Sequence, residues 1–222
     1  MPATSAPAST RTVDRALELL AAVTDHAPVT LTDAARTVDL PASTALRLLR
    51  SLELSGLVAR DEAGLYRPGP RLIQLGARAF TREPLVRLAH DPMEEVVRRT
   101  GESVYLAVQA DAETAVYLAI VEGTHSVRHT SWVGRTVPLE GTAVGRALRG
   151  QAPAGGHVLV ADTVEPDVTA LSAPVMAGGV AAGALSTLVP AYRCTEELAQ
   201  RCAAALVDAT AQMSQALGGP AS

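Results

Sequence analysis

The stretch Leu40-Pro41-Ala42-Ser43-Thr44-Ala45-Leu46-Arg47-Leu48-Leu49-Arg50-Ser51-Leu52 decides the fold of the N-terminal part of this 222-residue chain. The spacing predicts a helix from Pro41 to Ser55 with an apolar stripe along one side. That stripe consists of Ala45, Leu48, Leu49 and Leu52. The opposite face carries hydroxyl and guanidinium groups but no acid, namely on Ser43, Thr44, Arg47, Arg50 and Ser51. One side of the helix is therefore suited to a core, and the other to a polyanion.

Two helical patterns precede this helix. Residues 11–25 repeat apolar side chains at helical spacing, and Thr10 is the predicted N-cap. Thr30 followed by Asp33 is a weak capping box, which predicts a short helix running to about Val38. The N-terminal part is therefore predicted to contain three helices, the second and third of which form a helix-turn-helix.

A β-hairpin is predicted after the third helix. Val58–Arg60 and Leu65–Arg67 form two short strands, and the loop between them ends in Gly64. A helix-turn-helix followed by such a wing predicts DNA binding, since arginine can donate two hydrogen bonds to guanine and hydroxyls can reach phosphates. The alternative is a protein-interaction domain with a solvated polar face. The candidate DNA-binding residues are Thr30, Pro41, Ser43, Thr44, Arg47, Arg50, Ser51, Arg60 and Arg67.

Charge is distributed unevenly along the chain. All 19 basic residues are arginines, so the lysine chemistry of P-loops and Schiff bases is excluded. Residues 1–80 carry nine arginines against eight acids, whereas residues 100–222 carry six against eleven. The C-terminal part is therefore a poor candidate for binding nucleic acid.

The C-terminal part is predicted to form a mainly antiparallel sheet with helices. The predicted strands are residues 104–109, 115–121, 125–131, 135–139 and 157–161. Residues 168–192 carry no charge, but prolines and glycines interrupt them, which predicts a buried hairpin rather than a membrane span. A helix is predicted from Thr142 to about Arg149, and another over residues 195–217 with Leu198, Cys202, Ala205 and Leu206 on its buried face.

Ordered motifs over nearly the whole chain resemble the IclR family of bacterial transcription regulators. They are Arg11–Leu17, Leu40–Thr44, Gly56–Val58, Thr100–Val108, Val133–Arg135, Gly141–Leu148, Ala173–Val175 and Ala184–Ser186. The resemblance implies an α+β chain: a disordered tail (1–9), a winged helix-turn-helix domain (10–69), a linker helix (70–90) and a GAF-like effector-binding and oligomerisation domain (91–219). It implies a cytoplasmic, ligand-responsive regulator that binds operator DNA as a homodimer or homotetramer, with Ser43, Thr44 and Arg47 contacting the DNA.

The resemblance also implies an effector pocket around Gly141-Thr142-Ala143. Free N–H groups where this loop enters a helix favour an anion, so the expected effector is a small organic acid. The candidate effector-binding residues are Trp132, Val133, Gly141, Thr142, Ala143, Asp162, Ala170, Ser186 and Leu188. Alternatively, Thr142 is only an N-cap and Ser186 only a buried, backbone-bonded hydroxyl. Compared with the family the chain is short between Gly150 and Gly156, so we expect a missing helical cover and an open, more apolar or lost pocket.

The sequence contains no evident catalytic or metal-binding constellation. His125 and His129 are four residues apart, but on the predicted strand they would lie about 13 Å apart. If Cys194 and Cys202 both lie on the last helix, about 12 Å separates them along its axis, which favours two reduced thiols. We therefore expect no enzyme, cofactor or metal site. The alternative function is a winged-helix protein-interaction module with a degenerate, non-sensing C-terminal domain.

Overall fold

The computed structural model describes residues 10–125, 132–153, 156–161 and 166–218. The chain divides into two compact units, Met1–Arg82 and Glu83–Ser222. Three predictions lie wholly or mostly outside the described residues: the disordered tail at 1–9, the strand over 125–131, of which only His125 is described, and the role of Asp162.

The first unit contains the predicted three helices and hairpin. Its elements are α1 (Arg11–His26), α2 (Leu31–Thr37), α3 (Ala42–Leu54), β1 (Val58–Arg60), β2 (Tyr66–Pro68) and α4 (Pro70–Thr81). The Thr30 hydroxyl oxygen accepts a hydrogen bond from the Asp33 N–H at 3.1 Å, as the capping box predicted. Thr10 occupies the N-cap of α1, but its side chain makes no capping hydrogen bond.

The core of the first unit is built on the apolar stripe of α3. Its four predicted members are all buried, and they pack with Leu19 and Val23 of α1 and with Tyr66 of the hairpin. Because this stripe faces the core, the hydroxyl and guanidinium groups on the other side of α3 lie at the surface.

The described residues of the second unit form a six-stranded antiparallel sheet with helices on both faces. Its elements are α5 (Pro84–Thr100), β3 (Val104–Gln109), β4 (Thr114–Val121), β5 (Thr136–Pro138), α6 (Ala143–Leu148), β6 (Val158–Ala161), β7 (Val168–Ala177), β8 (Val180–Pro190), a 3-10 turn (Ala191–Arg193) and α7 (Glu196–Ala216). The strand order is β5-β4-β3-β8-β7-β6. The molecule is therefore an α+β protein, as the sequence predicted.

The uncharged stretch forms the hairpin that the sequence predicted. β7 and β8 pair over ten positions and turn at Gly178-Gly179, where both residues have positive φ. Within the described part of the chain, no helix has the length and hydrophobicity needed to span a membrane.

Alternation along the strands separates two apolar layers. Leu185 and Val189 of β8 pack with α5 and α7, whereas Ala184 and Leu188 pack with α6 on the other face. The predicted inner residues of α7, including Cys202 and Leu206, are all buried. We call these layers the α5/α7 face and the α6 face.

Two expectations differ from the structure. Residues 70–90 contain two helices rather than one linker helix, because Pro84 begins a new helix with Glu83 as its N-cap. Cys194 precedes α7 instead of lying on it, so the spacing argument along one helix does not apply. Both thiols are nevertheless free.

Candidate nucleic-acid interface and ligand site

The outward face of α3 brings together most of the residues predicted to contact DNA. Pro41, Ser43, Arg47, Arg50 and Ser51 are exposed, and Thr44 is partly buried. Within the described part of the chain, no hydrogen bond or ion pair engages the guanidinium of Arg47 or Arg50. Because guanidinium carries five N–H donors in a rigid plane, both side chains can bind phosphate or a base edge at no cost to internal contacts.

The two wing arginines are held by the hairpin itself. Arg60 donates from Nε to the Gly64 carbonyl oxygen at 3.1 Å, and its guanidinium lies 5.5 Å from the centre of the Tyr66 ring. Arg67 lies 3.6 Å from the Asp61 carboxylate, which also accepts a hydrogen bond from the Leu65 N–H. These arginines therefore stabilise the wing before any contact with DNA. Sequence analysis identified the arginines but not their partners Asp61 and Tyr66.

Thr30 has a local partner as well. Its hydroxyl donates to the Asp33 carboxylate at 2.7 Å while accepting from the Asp33 N–H. The hydroxyl is thus occupied in capping α2, and its contact with DNA stays a prediction.

Five of the nine residues predicted to bind an effector lie together on the α6 face, namely Trp132, Ala143, Ala170, Ser186 and Leu188. Ala170 lies directly opposite Leu188 in the β7–β8 register, and the Ser172–Ser186 pair is next along the same face. Trp132, Ala143 and Leu188 belong to one buried cluster, with Ala170 packed against it. Val133 is 45% exposed and does not belong to this cluster, and Gly141 is also exposed.

Two buried serines form the polar centre of this face. The Ser172 and Ser186 hydroxyl oxygens are 2.8 Å apart, and Ser172 donates to the Leu185 carbonyl oxygen at 3.2 Å. The Ser186 hydroxyl therefore forms its hydrogen bond with a second serine. The alternative given above, a Ser186 hydroxyl bonded to the backbone, differs from this arrangement. Tyr105 lies opposite Ser186 on the other neighbouring strand.

An aromatic row that the sequence analysis missed borders the serines. The Tyr105 and Tyr117 ring centres are 5.2 Å apart, and those of Tyr117 and Trp132 are 5.9 Å apart. Burial, and secondarily Tyr105, raises the pKa of the Tyr117 hydroxyl, so it stays neutral at physiological pH. Arg135 adds a positive charge 6.0 Å from the centre of the Trp132 ring. The alternation of residues along each strand indicates on which face of the sheet each tyrosine lies. Only the register between the strands shows that the rings are in contact.

The glycine loop has a clear structural role. The Thr142 hydroxyl accepts from the Gly145 N–H at 3.1 Å and donates to the Pro138 carbonyl oxygen at 2.7 Å. Ala143 is 1% exposed, and α6 is only six residues long. Thr142 is therefore an N-cap, as one alternative proposed, and a helix this short offers an anion little beyond the N–H groups already used.

One exposed side-chain group could offer metal ligands. Within the described residues, candidate ligand atoms of His90, Asp91 and Glu94 lie within 4.8 Å of one another on α5. All three side chains are solvent-exposed, as in many helices that bind no metal, so we assign no site there. His129 lies outside the described residues.

The three helices and hairpin of the first unit, with the exposed arginines of α3, define a winged helix-turn-helix protein with a second, α+β unit. Residues 12–62 match the IclR helix-turn-helix domain, and residues 77–155 match the bacterial transcriptional regulator IclR C-terminal domain. The chain belongs to the IclR family of bacterial transcriptional regulators.

Individual relatives are consistent with this assignment. The chain is 31% identical over 143 residues to the HTH-type transcriptional regulator KdgR of Escherichia coli, an alignment covering 64% of this chain and 54% of KdgR. The chain thus spans about half the length of the curated relatives it matches.

Two solved structures share the fold. An IclR transcriptional regulator from Alicyclobacillus acidocaldarius superposes with a TM-score of 0.80 at 23% identity, covering 95% of this chain and all of the other. An IclR homologue from Microbacterium hydrocarbonoxydans, complexed with 4-hydroxybenzoate, gives a TM-score of 0.76 at 23% identity over 94% of this chain and 99% of the other.

Proposed function

We propose that this protein is a transcription regulator that inserts α3 into the major groove of operator DNA. The observation that carries the proposal is the exposed face of α3, where Arg47 and Arg50 have no partner within the described residues. A recognition helix needs such a face, because its side chains must exchange solvent for bases and phosphates. The wing arginines Arg60 and Arg67 would flank it and contact the backbone.

The test is a salt titration of binding to duplex fragments from the upstream region of the protein's own gene. Each phosphate contact releases counterions, so affinity should fall steeply as salt rises. Arg47→Ala should cost about 1–3 kcal/mol and relax the preference at one base position. If all sequences weaken equally, Arg47 contacts a phosphate instead.

A matched control keeps this test specific. Arg201→Ala removes an exposed arginine from α7, in the acidic second unit, and should leave binding unchanged. Absent or salt-independent binding by the wild-type protein would contradict the regulator proposal. It would favour the alternative, a winged-helix module that binds protein.

The proposal includes self-association through α4. None of the residues of this helix is buried. Ile73, Gly76, Ala77 and Phe80 follow the spacing of one helical stripe, and Ile73 and Phe80 are 66% and 43% exposed. An apolar stripe without cover favours pairing with a second copy, which gives a homodimer suited to two half-sites. Such dimers could pair further into tetramers.

Light scattering after size exclusion tests the dimer. Phe80→Asp places a charge in the stripe and should give monomers. The control is Leu54→Asp, which changes an equally apolar residue that is 90% exposed at the end of α3. If Phe80→Asp keeps the mass of the wild type, α4 is not the contact.

We further propose that a small organic acid binds the α6 face. The supporting features are the hydroxyl pair Ser172–Ser186, the Tyr105–Tyr117–Trp132 row and the positive charge of Arg135 beside it. Because Tyr105, Tyr117 and Trp132 are buried, the ligand must open this face to stack on the row, and its carboxylate then pairs with the exposed guanidinium. The Microbacterium homologue with 4-hydroxybenzoate makes this acid the first probe.

A thermal-shift measurement tests the effector, since a ligand that binds the folded state raises the melting temperature. We expect 4-hydroxybenzoate, the ligand of the homologue, to stabilise the wild type more than the corresponding alcohol does. Arg135→Ala should remove that difference, whereas Arg149→Ala at the end of α6 should not. No shift with any carboxylate would indicate a lost pocket and a non-sensing second unit.

A further inference from the structure

The helical cover of the α5/α7 face stops before the edge of the sheet. α7 packs on β7, and β6 lies one strand further out. Leu159 of β6 is opposite Leu171 of β7 and points to this same face. Leu171 is fully buried, whereas Leu159 is 47% exposed. The outermost strand therefore has no helix above it within the described residues.

A groove fills the space between β6 and α7. It encloses a cavity of about 590 Å³, lined on the helix side by residues spaced from Glu196 to Asp208. That separation is a little over three helical turns, or about 18 Å. Ala199, Ala203 and Ala204 form the floor of the groove, to which they contribute only methyl groups. Its volume is within the range of sites that hold small molecules, about 300–1,000 Å³.

Two of the four polar residues that line the groove are acidic, namely Glu196 and Asp208. Glu196 lies at one end and receives a hydrogen bond from Gln200 at 3.3 Å. Asp208 lies at the other end and is paired with Arg99 at 2.7 Å. Among the described residues the lining includes His157 but no arginine, and the chain has no lysine. Within the described part of the chain no cationic side chain pairs with Glu196, so its carboxylate would repel an anionic ligand and attract a cation at that end of the groove.

We propose that this groove binds an elongated, mainly apolar molecule that carries a positively charged amine. The apolar body lies along the alanine floor between Leu159 and Val207, and the amine lies at the Glu196 end. The site is on the opposite face of the sheet from the proposed effector site, so the two ligands would not compete directly. This proposal does not depend on DNA binding.

Calorimetric titration of the full chain tests the proposal with three probes of equal chain length: decylamine, decanol and decanoate, each kept below its micelle concentration. Decylamine should bind at one site, and about tenfold more tightly than decanoate. Glu196→Gln should abolish the preference for the amine and leave decanol binding unchanged. Ala204→Leu places a larger side chain in the groove from an exposed position, so it should weaken the binding of all three probes.

The control is Ala216→Leu, which adds the same side chain at an exposed position of α7 outside the groove. It should bind decylamine like the wild type. Equal decylamine binding by Ala204→Leu and the wild type would overturn the proposal, as would tighter binding of decanoate. The proposal would also fail if the wild type bound no probe and the Leu159→Asp variant formed smaller species than the wild type. That result would show that a second copy of the chain covers the groove.

Discussion

Replacing Gly145 with alanine tests how α6 is attached to the sheet. Gly145 lies inside α6, where alanine is the better helix former by about 1 kcal/mol, so helix propensity alone predicts stabilisation. The packing predicts the opposite. A Cβ on Gly145 would lie 1.8 Å from the Leu139 carbonyl oxygen and 2.4 Å from the Leu139 Cα. Both atoms belong to the backbone, so no side-chain rotation can relieve the overlap.

The size of the effect follows from what α6 buries. To bring that Cβ to 3.0 Å from the carbonyl oxygen, α6 must shift by roughly 1 Å. Ala143, Val144, Ala147 and Leu148 are all buried in the α6 cluster, so the shift loosens the whole contact. We expect a net loss of about 1–3 kcal/mol of unfolding free energy.

Urea unfolding measures this loss. Trp132 is the only tryptophan and packs in the same cluster, so its fluorescence reports the second unit. The control is Gln212→Ala at an exposed position of α7. It changes no contact of the α6 cluster and should alter the unfolding free energy by less than about 0.5 kcal/mol. A Gly145→Ala protein as stable as the wild type, or more so, would refute the packing argument.

Three further outcomes are expected. The Arg193 guanidinium donates two hydrogen bonds to the Glu102 carboxylate, at 2.8 and 2.7 Å. Glu102→Gln removes this negative charge, and urea unfolding should show that the unfolding free energy falls by about 3 kcal/mol. Burial, and secondarily Glu102, raises the pKa of the Cys202 thiol to about 11. The thiol's contribution to stability should therefore be complete below about pH 9 and be lost as the pH rises toward 11. Melting curves recorded over this pH range should show that loss in the wild type but not in Cys202→Ala. Asp61→Asn frees Arg67 and removes a negative charge from the wing. Anisotropy titrations should therefore show tighter DNA binding with a steeper salt dependence. Unchanged binding would mean that the wing does not approach DNA.

Local sequence was sufficient for the elements that carry their own signals. The apolar stripe of α3, the Thr30–Asp33 cap and the β7–β8 hairpin follow from periodicity and turn chemistry within a few residues. The break at Pro84 was also present locally, but the single linker helix over 70–90 came from the family resemblance.

The candidate site needed contacts between distant segments. The Ser172–Ser186 pair and the tyrosine row depend on which strands are neighbours, and no local pattern specifies strand order. Similarly, the arginines of α3 and of the wing look equivalent in sequence. Only the folded hairpin shows that Arg60 and Arg67 have partners while Arg47 and Arg50 have none within the described residues.

The sequence by itself determined the absence of lysine, the acidic second half, and an acid-free face of alternating hydroxyls and arginines on α3, because these are properties of composition and helical spacing. Tertiary structure decided which charges are available. Glu102 is 1% exposed and pairs with Arg193, which is 91 residues away in the sequence. The backbone of Leu139 leaves no room for a side chain at Gly145. Such effects arise from packing between segments whose proximity is created only by folding.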